Sequence, residues 1–106
     1  MNLAEQIVAQ LVEAGVTRIY GVVGDSLNPI VDAVRASGGS KNGGIDWIHV
    51  RHEEAAAFAA SAEAQVTGKL AVCAGSCGPG NTHLINGLYD ATPPPAPVLR
   101  IASPVF

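Results

Sequence analysis

The 106-residue chain is short of charge: Asp, Glu, Lys and Arg make up only 14% of it, and the formal net charge is −3. Its six Lys and Arg are scattered, so no basic stripe offers a surface to nucleic acid or to an anionic membrane. Long apolar runs are also missing. None approaches the roughly 20 residues that cross a bilayer, and the opening "MNLAEQIVAQLVEAG" is acidic and polar-interleaved, unlike a signal or transit peptide. The expectation is a cytoplasmic protein with no membrane segment. Cysteine is scarce: Cys73 and Cys77, in CxxxC spacing, are the only two. This argues against a disulfide scaffold, and a zinc site would need more ligands than lie nearby. The pair reads as two small apolar side chains near a buried strand. With no internal repeat, residues 1–106 read as one domain with a single modest core.

What the chain does have is apolar periodicity, in 48% apolar residues. Leu3, Ile7, Leu11 and Ala14 recur at helical spacing, Asn2 can cap with Glu5 three residues on, and Gly15 can end the helix. "TRIYGVV" (17–23) is β-branched and apolar, as in a buried strand. A turn follows over 24–28, with Asn28 as the cap and Pro29 as the first residue of a helix to about Ala36. "SGGSKNGG" (37–44) reads as a flexible connector and "IDWIHV" (45–50) as the second strand. The alanine-rich run from His52 is a helix closed near Gly68. "KLAVCA" (69–74), "THLINGLYDA" (82–91) and "VLRIAS" (98–103) read as strand, helix and strand. The alternation predicts an α/β domain: a parallel sheet, covered by helices, with right-handed crossovers.

Such sheets bind ligands where loops leave the carboxyl ends of their strands. Three loops leave there: "GDSLNP", "RHEE" and "GSCGPGN". The glycine loop lacks the Lys-Ser/Thr of a P-loop and the spacing of GxGxxG, so a generic nucleotide-binding module is disfavoured. It fits a tight strand-to-helix connection, or a place where another molecule or subunit approaches the backbone. Asp25 can accept from the next turn or point as an acid into a strand-end crevice. Glu53 and Glu54 both suit a helix N-terminus, where a carboxylate gains typically 0.3–1 kcal/mol, and His52 reads as a polar neighbour of the cap or as a base. Periodicity does not choose between the two glutamates.

Taken together, "AGVTRIYGVVGDSLNPIVDAV", "RHEEAAAFAASAEAQVTGKLAVCAGSCGPGNTHLINGLYDA" and "PVL" resemble the N-terminal pyrimidine-binding domain of thiamine diphosphate-dependent enzymes. The likeness runs from about residue 3 to 99 and is strongest to the pyruvate oxidase and ubiquinone-linked pyruvate dehydrogenase branch. The resemblance implies that Glu53 binds a ring nitrogen of the cofactor's aminopyrimidine and shares a proton with it, the step that activates the cofactor toward a 2-keto acid, by default pyruvate. It implies helix-terminal electrostatics for Glu54. Gly78, Pro79, Gly80 and Asn81 match the loop that packs near the pyrimidine and the subunit interface. Asp25 matches an acid that lies near the reacting carbon in the decarboxylase branch.

The family also uses Mg²⁺, held by a diphosphate-binding domain with a Gly-Asp-Gly motif and an Asn pair, and in some members FAD on a middle domain. Neither motif occurs in this chain, where "GDS" at Gly24 is in the wrong loop. The resemblance implies a homo-oligomer whose active site joins this domain to the diphosphate domain of a second subunit or chain. Residues 1–106 are then one incomplete domain, with negligible turnover and weak cofactor affinity alone. "TPPPAPVLRIASPVF" departs from the family, placing Arg100 in a strand expected to be apolar, where a charge is costly unless it is paired or reaches the surface. A truncated chain, a gene fragment and a tail altered by a reading-frame change all fit this end. A non-enzymatic remnant that dimerises, or one half of a split enzyme, stand as the alternative functions.

Overall fold

The computed structural model describes residues 2–24, 27–75 and 97–102. Helix α1 spans Leu3–Glu13, and the Asn2 side chain accepts a hydrogen bond from the Glu5 N–H at 2.8 Å, as its cap position predicts. Strand β1 (Arg18–Gly21) leads to α2 (Asn28–Ala36), then β2 (Asp46–His49), α3 (Glu53–Thr67), β3 (Ala71–Gly75) and β4 (Val98–Ala102). The four strands form one parallel sheet in the order β2-β1-β3-β4. The expected parallel α/β architecture is present; the helix expected over 82–91 lies outside the described residues.

Neighbouring residues of a strand face opposite sides of a sheet, and the packing separates accordingly. Ile19, Val72 and Ala74 join a core with Val8 and Leu11 of α1 and Val34 of α2. Tyr20 and Cys73 turn the other way, toward Ala56, Ala57, Ala60 and Ala64 of α3. Thus α1 and α2 cover one face and α3 the other. The β1-to-β2 and β2-to-β3 connections run on opposite faces, and the winding reverses between β1 and β3.

Two local readings need correction. Asn28 does not cap α2: Leu27 occupies the cap position, without a side-chain cap bond, and Asn28 is already helical. Leu27 is 1% exposed; burying its side chain fixes where the helix starts and moves Pro29 to its second position. Nor is the 37–44 connector slack. Ser40–Asn42 form a 3₁₀ turn in which the Ser40 N–H and hydroxyl both donate to the Asp46 carboxylate, at 2.9 and 2.5 Å. These two bonds hold the Asp46 carboxyl below its ordinary range. Arg100 takes one of the two ways open to it and reaches the surface on β4, so it avoids the cost of a buried charge.

Candidate functional site

Because all four strands are parallel, their carboxyl ends share one edge, and the winding reverses between β1 and β3, the place where sheets of this kind bind ligands. β1 ends at Gly21, β2 at His49 and β3 at Gly75. The end of β1 is tightly packed. A Cβ on Gly21 would come within 2.8 Å of the Trp47 ring and 2.9 Å of the Ala74 carbonyl oxygen, so only glycine fits between β2 and β3 here. The Val50 N–H donates to the Gly21 carbonyl at 3.0 Å, extending the β1–β2 contact to the start of the "RHEE" loop.

That loop delivers Glu53 to the first position of α3. His52 is the N-cap, with extended backbone, and its Nδ1 accepts from the Glu54 N–H at 3.1 Å. This bond uses the ring nitrogen as the acceptor of a helix cap. Of the two sequence readings for His52, the geometry selects the cap. Glu53 and Glu54 are both half-buried in the first turn, where the helix N-terminus favours a carboxylate. Glu53 follows the cap directly, four residues after the end of β2. The Glu53 carboxyl group is thus partly shielded from water near the edge where the strands end.

The other expected site residues, Asp25, Gly78, Pro79, Gly80 and Asn81, lie outside the described residues, as does Cys77. Among the described residues no three His, Cys, Asp or Glu side chains converge as a metal ion would require. Two open grooves of about 310 and 580 Å³ are lined from the α1/α2 face and the β2 edge, and neither is lined by Glu53.

Sequence reasoning missed a polar tie at the other end of α3. The Tyr20 hydroxyl donates to Glu63 Oε1 at 3.0 Å, and Arg18 Nε lies 3.4 Å from the same oxygen. Burial raises the Tyr20 phenol, and the Tyr20 hydrogen bond together with Glu63 raises Arg18. Glu63, the one acid in the apolar body of α3, was the available signal. The tie fixes α3 against β1, and so helps to set where Glu53 emerges.

The fold and this edge define a parallel α/β ligand-binding domain with an acid at the start of its crossover helix. Residues 1–105 match the family model described as thiamine pyrophosphate enzyme, N-terminal TPP binding domain, and the chain belongs to that family. It is 63% identical over 102 residues to an uncharacterized 42.6 kDa protein from Pseudomonas amyloderamosa, an alignment covering 96% of this chain and 24% of that protein. Identity to pyruvate oxidase from Lactiplantibacillus plantarum is 50% over 100 residues, 93% of this chain and 16% of the relative. Identity to the large subunit of acetolactate synthase isozyme 2 from Escherichia coli is 39% over 105 residues, 99% of this chain and 18% of the relative. The chain therefore spans between about a sixth and a quarter of the length of these proteins.

Proposed function

We propose that the chain is the pyrimidine-binding part of a thiamine diphosphate-dependent enzyme that decarboxylates a 2-keto acid, with pyruvate as the expected substrate. The observation that carries the reading is the position of Glu53: a half-buried carboxyl group at the first residue of α3, on the edge where the strands end. Thiamine diphosphate supplies the electron sink for decarboxylation when bound. Glu53 would hold the cofactor by its aminopyrimidine ring nitrogen, sharing a proton with it. An aspartate there is about one methylene short, and a glutamine offers no exchangeable acid proton. Glu54 serves the helix terminus. By the family likeness, Gly78, Pro79, Gly80 and Asn81 are assigned to the cofactor-binding loop, and Asp25 is assigned the role of a proton donor.

The remaining machinery comes from outside residues 1–106: a diphosphate-binding domain that holds Mg²⁺, in a second subunit or chain of a homo-oligomer, with FAD in an oxidase-type assembly in the cytoplasm. The alternatives are one half of a split enzyme and a dimerising remnant without activity. The test exchanges residues 1–105 for the matching segment of the L. plantarum pyruvate oxidase. Thiamine diphosphate binding is measured by calorimetry and pyruvate decarboxylation by carbon dioxide release. The chimera is expected to bind and turn over, and Glu53→Gln to lower turnover by about 10²–10⁴-fold, the usual weight of one acid–base group. A Glu53→Gln chimera as active as its parent removes the role assigned to Glu53.

A further inference from the structure

The connector between α2 and β2 contains a dipeptide whose chemistry the proposed function does not use. Asn42 closes the 3₁₀ turn, and Gly43 follows it in the left-handed region at φ +80°. Asparagine is a chemically labile residue, because the backbone nitrogen of the next residue can attack its side-chain amide. Among the described residues, Asn2 precedes Leu3, Asn28 precedes Pro29, and Asn42 alone precedes glycine. A proline nitrogen has no proton to lose, and a leucine side chain crowds the approach. Glycine has no Cβ, so its backbone turns most freely toward the amide. Asn42 and Gly43 are both exposed, and among the described residues no atom lies within 4 Å of where a Gly43 Cβ would be. Hydrogen bonds hold this peptide instead. The Asn42 side-chain amide donates to the Gly38 carbonyl at 2.9 Å, and the Asn42 N–H to the Gly39 carbonyl at 3.0 Å. The Gly43 N–H donates to the Ser40 carbonyl at 3.3 Å, the longest of these and beyond the usual limit of about 3.2 Å. The attacking nitrogen is thus held by the weakest of the three.

We propose that Asn42 is a site of spontaneous deamidation, and that the clamp between Ser40 and Asp46 sets its rate. The Gly43 nitrogen gives up its proton to hydroxide and bonds to the Asn42 side-chain carbonyl carbon. The bond from that carbon to the amide nitrogen breaks, and the nitrogen takes a proton from water and leaves as ammonia. Water then opens the resulting five-membered imide at either carbonyl. One opening gives aspartate. The other gives isoaspartate, in which the main chain runs through the side-chain carbons and is one methylene longer. Only water and hydroxide enter, and nothing is oxidised or reduced. For the attack, the Asn42 amide must leave the Gly38 carbonyl and the Gly43 N–H must leave the Ser40 carbonyl, so the turn has to open locally. What opposes opening is the Asp46 carboxylate, which accepts from both the N–H and the hydroxyl of Ser40. Either product replaces the amide that donates to Gly38 with a carboxylate and makes the formal net charge of −3 one unit more negative. The new charge falls in the turn that Asp46 already organises, where like-charge repulsion loosens it further.

The test incubates the folded 106-residue chain at neutral and mildly alkaline pH and digests samples with trypsin. Cleavage after Lys41 and Arg51 releases residues 42–51, which contain Asn42 and no other asparagine or glutamine. Mass spectrometry of this peptide is expected to show amide replaced by acid, in two chromatographic forms, accumulating faster as pH rises. The peptide bearing Asn28 should stay unchanged over the same period. Ser40→Ala removes the hydroxyl bond of the clamp but keeps the N–H bond, so the turn is weakened rather than lost. Conversion should then be about two- to tenfold faster, the weight of one hydrogen bond in the opening equilibrium. In urea, where no turn remains to open, Ser40→Ala and the parent should convert at the same rate. An Asn42 that stays intact in the folded chain while the urea-unfolded chain converts fully overturns the site. A folded Ser40→Ala chain that converts no faster than its parent, or one equally faster in urea, overturns the clamp. Cofactor and turnover play no part in these measurements, so their failure leaves the Glu53 reading untouched, and an inactive chimera leaves the Asn42 reading untouched.

Discussion

At the scale of single residues, chemistry depends on which side chains the fold withholds from water. Cys73 is fully buried against α3, its Sγ 3.9 Å from the Leu99 carbonyl, and burial pushes its thiol up to about 11 from 9.0. The folded value lies above the unfolded one, so the contribution of this thiol to stability is whole below about pH 9 and is lost as pH rises toward 11. With Cys77→Ser to remove the second thiol, Cys73 in the folded chain at pH 8 should react with iodoacetamide at least about 100-fold more slowly than in urea, because two pKa units cut the thiolate fraction by that factor. Mass spectrometry of the time course checks this. Asp46 has the opposite sign. Its carboxyl is depressed by the two Ser40 hydrogen bonds, so the ordered 37–44 turn it supports is whole above pH 3.8 and loosens as pH falls below that. Amide exchange of the Ser40 N–H should accelerate in that window, and Asp46→Asn should lessen the dependence.

At the scale of elements, α3 matters most. Its inward alanines are 0–1% exposed, and their small size lets the helix lie close to β1 and β3. A larger side chain there has no space to occupy, and overpacking costs about 1–3 kcal/mol. Ala60→Leu should lower stability by that amount in urea unfolding without lowering helix content at 25 °C, measured by far-ultraviolet circular dichroism. The helix closes on Gly68, whose φ of +70° is left-handed and suits glycine. At the neighbouring strand end, Gly21→Ala should be among the most damaging single-atom additions, since Trp47 and the Ala74 carbonyl fill the space a Cβ would take. These packing constraints act on the site indirectly, by fixing where the first turn of α3 leaves the sheet.

At the scale of the whole molecule, catalysis needs more than this domain. The chain aligns with 16–24% of the relatives named above, and the proposed metal-holding domain is outside it. Residues 1–106 alone are expected to release no carbon dioxide from pyruvate above background and to bind thiamine diphosphate too weakly for calorimetry. Tight binding by the isolated chain would show that the diphosphate clamp is dispensable. Among the described residues no helix is long and apolar enough to cross a membrane, in line with the composition.

The sequence by itself determined the element order and the sheet type. Apolar period and turn residues are local properties, and they marked α1, β1, α3 and β3 to within a residue or three. It also singled out Glu53 for the proposed role, through a family likeness spread over three loops, where local periodicity left two glutamates open. Only the tertiary structure decided what depended on contacts distant in the chain. Burial of Leu27 displaced Asn28 from the cap, Asp46 organised a glycine-rich connector six residues upstream, and exposure on β4 relieved Arg100. His52 could be separated from a catalytic base only once the Glu54 N–H was seen to donate to its ring. The strand order β2-β1-β3-β4 likewise arises from long-range pairing, and it is this order that sets the carboxyl ends of β2, β1 and β3 side by side.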